Sequence, residues 1–154
     1  LDVFNRTHEE TDYLLTYSDE NCFTASQEAD FLQRKTDSTN TVEIIAIVDG
    51  VVAGTAGIDA LGMRDKIKHR AVFGIAITKE FWGLGIGKSM MEACIECARE
   101  AGYLQLELEV VAENERAVEM YRRAGFIEYG RNPKAFRLRT GEYQELIDMR
   151  LELK

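Results

Sequence analysis

Three glycines at alternate positions, Gly83, Gly85 and Gly87, are followed by Lys88 and Ser89. A glycine has no Cβ, so its main chain can approach a phosphate closely and take dihedrals that other residues avoid. A short apolar run at residues 75–77 precedes the glycines, and a long helical pattern follows them. Strand, glycine loop and helix start together aim backbone N–H groups at an anion. Residues 74–89 therefore read as a diphosphate cradle, against the plainer alternative of a glycine-rich turn between a strand and a helix. Spacing excludes two common cradles. The dinucleotide pattern G-x-G-x-x-G would need its third glycine at Lys88, and the triphosphate loop G-x-x-x-x-G-K-S/T would need its first at Trp82.

The second informative stretch is residues 114–126, N-E-R-A-V-E-M-Y-R-R-A-G-F. Asn114 and Tyr121 are two helical turns apart, so they share a face with Ala117 and Val118 between them. That face offers an amide, a small residue and a phenol, along which an extended ligand could lie. The alternative is an amphipathic helix whose tyrosine packs in the core. The cysteines point to no chemistry. Cys94 and Cys97 form C-x-x-C inside a helical pattern, Cys22 stands apart, and His8 and His69 are the only histidines. A redox pair belongs at a helix start and a zinc site needs more ligands nearby. No metal is expected, and Cys94 and Cys97 read as small core residues of a protein from a reducing compartment.

These residues need elements to position them. Residues 1–8 read as a helix end with Leu1, Phe4 and His8 on one face, and residues 10–17 as a connection. Thr24 with Gln27 forms a capping box for a helix over 25–36, with Phe31 and Leu32 toward the core. Residues 42–48 and 51–59 are strands joined by Asp49-Gly50, a hairpin turn. A third strand spans 70–77. A helix over 85–101 packs Ile86, Met90, Ala93, Cys94, Cys97 and Ala101 on the sheet and stops at Gly102. Residues 104–111 alternate, with Leu104, Leu106, Leu108 and Val110 on one side and Gln105, Glu107 and Glu109 on the other. Asn114 caps a helix over 115–124 that ends at Gly125. Strands at 126–129 and 143–153 close the chain, with residues 131–141 between them. The result is one mixed α+β sheet.

The chain has 154 residues, a hydrophobic fraction of 45% and a net charge of −8. That is enough for one domain with a real core. The acidic balance argues against general nucleic-acid binding and suits a cationic acceptor. No apolar run approaches the roughly 20 residues of a membrane span.

With both stretches in order, the chain resembles the GNAT N-acetyltransferase superfamily. That family's diphosphate motif, Q/R-x-x-G-x-G/A, maps onto residues 82–87 with Gly85 and Gly87 matching. Trp82 stands where the family has Gln or Arg, which leaves Lys88 and the loop amides to carry more of the binding. The family pattern N-x-x-A-x-x-x-Y-x-x-x-G-F matches at Asn114, Ala117, Tyr121, Gly125 and Phe126. The resemblance covers the chain from about residue 10 onward. It implies a GNAT-like, mostly antiparallel mixed sheet flanked by helices. It also implies a single domain over 1–154, with the family's first strand missing ahead of Leu1.

By the same resemblance, acetyl-CoA is the co-substrate. Its site would comprise Ile77 and Thr78 at the strand end and Gly83, Leu84, Gly85, Ile86, Gly87, Lys88 and Ser89 on the loop and helix start. Asn114, Ala117 and Arg123 would complete it from the next helix. Tyr121 is implied as the general acid, since a phenol stays protonated at neutral pH and can donate to a leaving thiolate. The strand glutamate of many members is absent, because Val72, Phe73, Gly74 and Ile75 stand at E-L-G-I. Leu108-Glu109-Val110 matches the L-E-V of the branch that acetylates ribosomal-protein N-termini, so Glu109 is the candidate base. Glu107 and Glu109 on a plain solvated face is the alternative. Acceptor contacts would come from residues 10–17, 56–70 and 131–142. The expectation is a cytoplasmic enzyme that acetylates a primary amine, on a small molecule or peptide, by direct transfer. It would have no nucleic-acid or membrane partner, and a homodimer is compatible. A non-catalytic acyl-CoA-binding domain on the same fold is the rival reading.

Overall fold

A computed structural model describes residues 1–20 and 23–153; Cys22 lies outside the described residues. Strands β1 (Val42–Val48) and β2 (Val51–Ala60) form a hairpin through Asp49 and Gly50. Both turn residues sit at positive φ, 50° and 81°, as a two-residue hairpin turn requires. Strand β3 (Arg70–Ile77) pairs antiparallel with β2. Helix α3 (Ile86–Glu100) then crosses over to β4 (Gln105–Val111), which runs parallel to β3. Helix α4 (Glu115–Arg123) leads to β5 (Ile127–Arg137) and β6 (Tyr143–Glu152), and the sheet order is β1-β2-β3-β4-β6-β5. Helices α1 (Asp2–Glu10) and α2 (Ala25–Thr36) precede the sheet, and Thr24 and Gln27 form the expected capping box. This is the expected α+β architecture, a mixed and mostly antiparallel sheet flanked by helices.

The core lies between the sheet and α3 with α4. Met91, Cys94 and Ala98 of α3 are buried against a sheet face carrying Ile58, Ala71, Leu106 and Met149. Ala93, expected on that face, is exposed, and Met91, Ile95 and Ala98 take its place. Cys94 is fully buried, while Cys97 is only half-buried. Phe31 and Leu32 of α2 are exposed rather than turned to the core. The buried residue of α2 is Lys35, whose ammonium donates to Glu43 (2.9 Å) and Asp59 (2.8 Å). A buried charge persists because both partners are carboxylates. Glu43 and Asp59 alternate away from Ile44, which packs against the core, and the core residue Ile58, so α2 covers the face opposite α3.

Two further readings are corrected. Leu104 lies just outside β4 and is exposed, so the core alternation runs over Leu106, Leu108 and Val110. The fifth strand continues well past residue 129, to Arg137, with Pro133 in an irregular stretch between Asn132 and Phe136 where the register slips. A proline cannot donate to the ladder, so a bulge is where a strand tolerates it.

The parallel seam decides where a site can form. β3 and β4 pair only over Arg70–Val72 with Gln105–Glu107. Arg70 clamps the two strands there, forking onto both oxygens of the buried Glu107, with Nη2 to Oε2 at 2.7 Å. Beyond that clamp the strands part, each still paired on its outer side, β3 with β2 and β4 with β6. The sheet therefore opens a wedge with an unpaired main-chain edge on each lip.

Candidate active site

A cleft of about 440 Å³ fills this wedge. One lip is Phe73 to Ile77 of β3, and the other is Glu109 and Val110 of β4. Gly83, Gly85, Ile86, Gly87 and Lys88 line it at the start of α3, and Asn114, Ala117, Met120 and Tyr121 line it from α4. The two stretches that carry the chemistry in the sequence thus face one cavity.

The loop fits an anion on geometric grounds. Gly83 and Gly85 have φ of 78° and 82°, and the space a Cβ would occupy at either is open. Gly85 is the N-cap of α3 and no side chain caps that end. The first N–H groups of the helix are therefore free for a ligand, at its positive end. No acidic side chain occupies the first turn. Gly87 is required for a different reason. A Cβ there would stand 3.3 Å from both Ile77 Cδ1 and Met120 Sδ, so its absence lets α3 begin close against β3 and α4.

Asn114 caps α4, its side-chain oxygen accepting from the Ala117 N–H at 3.4 Å. That leaves its NH₂ as a donor at the cleft. Tyr121 is at once a core and a cleft residue. It is buried, stands edge-on to Phe73 at 6.2 Å between centroids, and packs on Phe126 at 5.8 Å. Burial pushes its phenol above the ordinary tyrosine range, so it remains a neutral donor over the physiological range. Glu109 is exposed on the lip of β4, directly across from Asp148 of β6. Glu107, two residues back, is committed to Arg70.

Four residues of the expected cofactor set do not line the cleft. Thr78 is buried and its hydroxyl donates to the Ala53 carbonyl at 3.2 Å. The Leu84 side chain is exposed to solvent. Ser89 Oγ turns back to the Gly85 carbonyl at 3.4 Å, and Arg123 pairs with Glu119 at 2.8 Å. Of the three expected acceptor segments, 10–17 and 131–142 reach the cleft, through Thr11, Tyr13, Leu14, Leu15 and Phe136. Residues 56–70 do not.

One pair at the cleft escaped sequence reasoning. The Trp82 indole N–H donates to the Ile77 carbonyl at 2.7 Å, pinning the glycine loop to the end of β3. The Arg116 guanidinium of α4 lies 4.4 Å from the centroid of the same indole, within cation–π range. Both residues line the cleft, and Arg116 has no carboxylate partner among the described residues. A cation is thus held at the glycine loop from the neighbouring helix. The signal was an arginine inside the Asn114 motif and an indole on the loop, but only the fold joins them.

The family model described as the Acetyltransferase (GNAT) family matches residues 6–126. The L-amino acid N-acetyltransferase AaaT of Escherichia coli strain K12 is 31% identical over 118 residues, covering 76% of this chain and 72% of that protein. The crystal structure of a GNAT-family acetyltransferase from Streptococcus pneumoniae superposes with a TM-score of 0.91 at 28% identity, covering 96% of this chain and 88% of that one. A phosphinothricin acetyltransferase from Sinorhizobium meliloti, solved in complex with acetyl-CoA, shares the fold. Its TM-score is 0.85 at 17% identity, covering 99% of this chain and 80% of that one. Among the described residues, no helix is long and apolar enough to cross a membrane.

Proposed function

The chain belongs to the GNAT acetyltransferase family, and from that premise we propose that it transfers the acetyl group of acetyl-CoA directly to a primary amine in the cleft between β3 and β4. The observation that carries this reading is the shared cavity. The glycine loop, the Asn114–Tyr121 face and Glu109 border one wedge in the sheet.

Each group has a task that its position suits. The free amides at the start of α3, with Lys88 and Arg116, hold the diphosphate. The open edges of β3 and β4 offer N–H and C=O groups to the amides of the pantetheine arm, as any unpaired strand edge does. Glu109 accepts the amine proton through water, so that the nitrogen attacks neutral. The C–N bond forms at the thioester carbonyl carbon as the C–S bond breaks. Tyr121 gives its proton to the departing sulfur and regains one from solvent. Its raised pKa serves this role, because the phenol is fully protonated wherever the amine is acetylated. No acyl-enzyme is required.

The test is turnover and binding on one preparation. Acetyl-CoA and CoA should raise the melting temperature and ATP should not, since a ligand selective for the native state stabilises it by about 2.7 kcal/mol at 100 times its Kd. Thiol release from acetyl-CoA should then depend on added primary amine. A folded protein that binds acetyl-CoA but releases no thiol with any amine would be an acyl-CoA-binding domain instead.

A further inference from the structure

The end of the cleft away from the glycine loop has its own chemical character. It is walled by Tyr13, Leu14, Leu15, Phe136 and Leu146, with Glu109 at its inner end. Leu15 is 80% exposed, a large apolar side chain presented at the mouth rather than packed. With Leu14, Phe136 and Leu146 in the same lining it forms a contiguous apolar wall, and it is such a patch, not a single exposed residue, that marks an interaction site. The space continues past Thr11, Leu14, Leu15 and Phe136 into an adjoining cavity of about 220 Å³. The segment carrying Tyr13 to Leu15 is tied at both ends. The Glu10 carboxylate accepts from the Lys79 N–H at 2.6 Å, and the Tyr17 hydroxyl accepts from the Arg139 N–H at 3.0 Å. The apolar arm is therefore held in place before any acceptor arrives.

The charges are divided just as clearly. The cationic side chains of the main cleft, Lys88 and Arg116, stand at the glycine-loop end. At the acceptor end, among the described residues, the one charged lining side chain is Glu109. An α-carboxylate lies only about 3 Å from its amine nitrogen by covalent geometry. A nitrogen poised at Glu109 would hold that carboxylate against the Glu109 carboxylate, with no cation of the cleft lining beside it. Arg137 lines the adjoining cavity rather than the main cleft, and its guanidinium lies over the Tyr143 ring at 6.0 Å.

Resting on the acetyltransferase reading, we propose that the acceptor is a primary amine on an uncharged apolar or aromatic body with no carboxylate beside the nitrogen. Burial of the body along Leu14, Leu15, Phe136 and Leu146 supplies the discrimination. An apolar pocket of this kind separates substrates by about 10-fold or more.

Four probes test it in a thiol-release assay at saturating acetyl-CoA: 2-phenylethylamine, L-phenylalaninamide, L-phenylalanine and ethanolamine. The first two should show kcat/KM at least about 10-fold above the last two. Phe136→Ala should raise KM for 2-phenylethylamine about 10-fold and leave KM for acetyl-CoA in place. Should that variant fail to fold, Leu15→Asp at its exposed site gives the same reading, lowering kcat/KM for 2-phenylethylamine by a larger factor than for ethanolamine. Preference for L-phenylalanine or ethanolamine, with acetyl transfer intact, overturns this proposal alone. Absence of thiol release with all four while another primary amine is acetylated also overturns this proposal alone, and absence with every amine tried, in protein that binds acetyl-CoA, overturns the transferase reading with it.

Discussion

Gly85→Ala separates the two reasons for a glycine at the head of α3. The residue has φ of 82°, and among the described residues nothing stands within 4 Å of where a Cβ would lie. The cost in the free protein is therefore backbone strain alone, about 1–2 kcal/mol for a left-handed alanine. For a domain of this size that lowers the melting temperature by roughly 2–8 °C. Gly102 provides a matched control. It too has φ of 82° and open space, but it sits at the far end of α3 and lines no cavity of the cleft. Gly102→Ala should lose the same few degrees. Only Gly85→Ala places a methyl where a phosphate approaches the loop, so only it should weaken CoA, by at least about 10-fold, or roughly 1.4 kcal/mol. Calorimetric titration with CoA and a melting curve on each variant decide the matter. Equal CoA affinity in Gly85→Ala and wild type would mean that the cradle lies elsewhere. An equal affinity loss in Gly102→Ala would mean that stability, not contact, is being measured.

Three further outcomes follow from the same geometry. Glu109→Gln is nearly isosteric and should lower turnover most at low pH, where the amine is hardest to deprotonate, while CoA affinity is unchanged; full activity across a pH profile would remove Glu109 from the relay. Arg116→Gln and Trp82→Leu should each weaken CoA about 10-fold at low salt and less at high salt, because one cation is lost or unseated; salt-independent or unaltered affinity would contradict the stacked arrangement. Burial pushes the Cys94 thiol from 9.0 up to about 12, so the folded state holds a proton that the unfolded chain releases from about pH 9 upward. Stability from this group is complete below pH 9 and lost as pH rises toward 12. The melting temperature of wild type should therefore fall more steeply over that window than that of Cys94→Ala, and parallel curves would contradict it.

Local signals made most of the fold legible. The Thr24–Gln27 capping box, the Asp49-Gly50 turn, the glycines ending α3 and α4 and the alternation of β4 each depend on neighbours in the chain, and each element stands where its signal lies. What escaped depends on partners distant in sequence. Phe31 and Leu32 look like core residues in an amphipathic pattern, but Glu43 and Asp59 draw Lys35 inward instead. Glu107 and Glu109 are equivalent by alternation, and only the reach of Arg70 from β3 makes one structural and leaves the other at the cleft. The same holds at the site. The glycine loop and the Asn114–Tyr121 face were readable because each is a local motif, whereas the Arg116–Trp82 stack and the apolar arm around Phe136 require the wedge between β3 and β4 to exist.

Turnover and melting temperature of Tyr121→Phe, on one preparation, address the central claim most directly. The ring contacts with Phe73 and Phe126 survive the change, and no hydrogen bond from the hydroxyl to another described residue is lost. The melting temperature and CoA affinity should therefore stay near wild type. If Tyr121 protonates the departing thiolate, turnover on a good amine acceptor should fall by about 10²-fold or more. A stable Tyr121→Phe protein that turns over at the wild-type rate would contradict the mechanism at its acid.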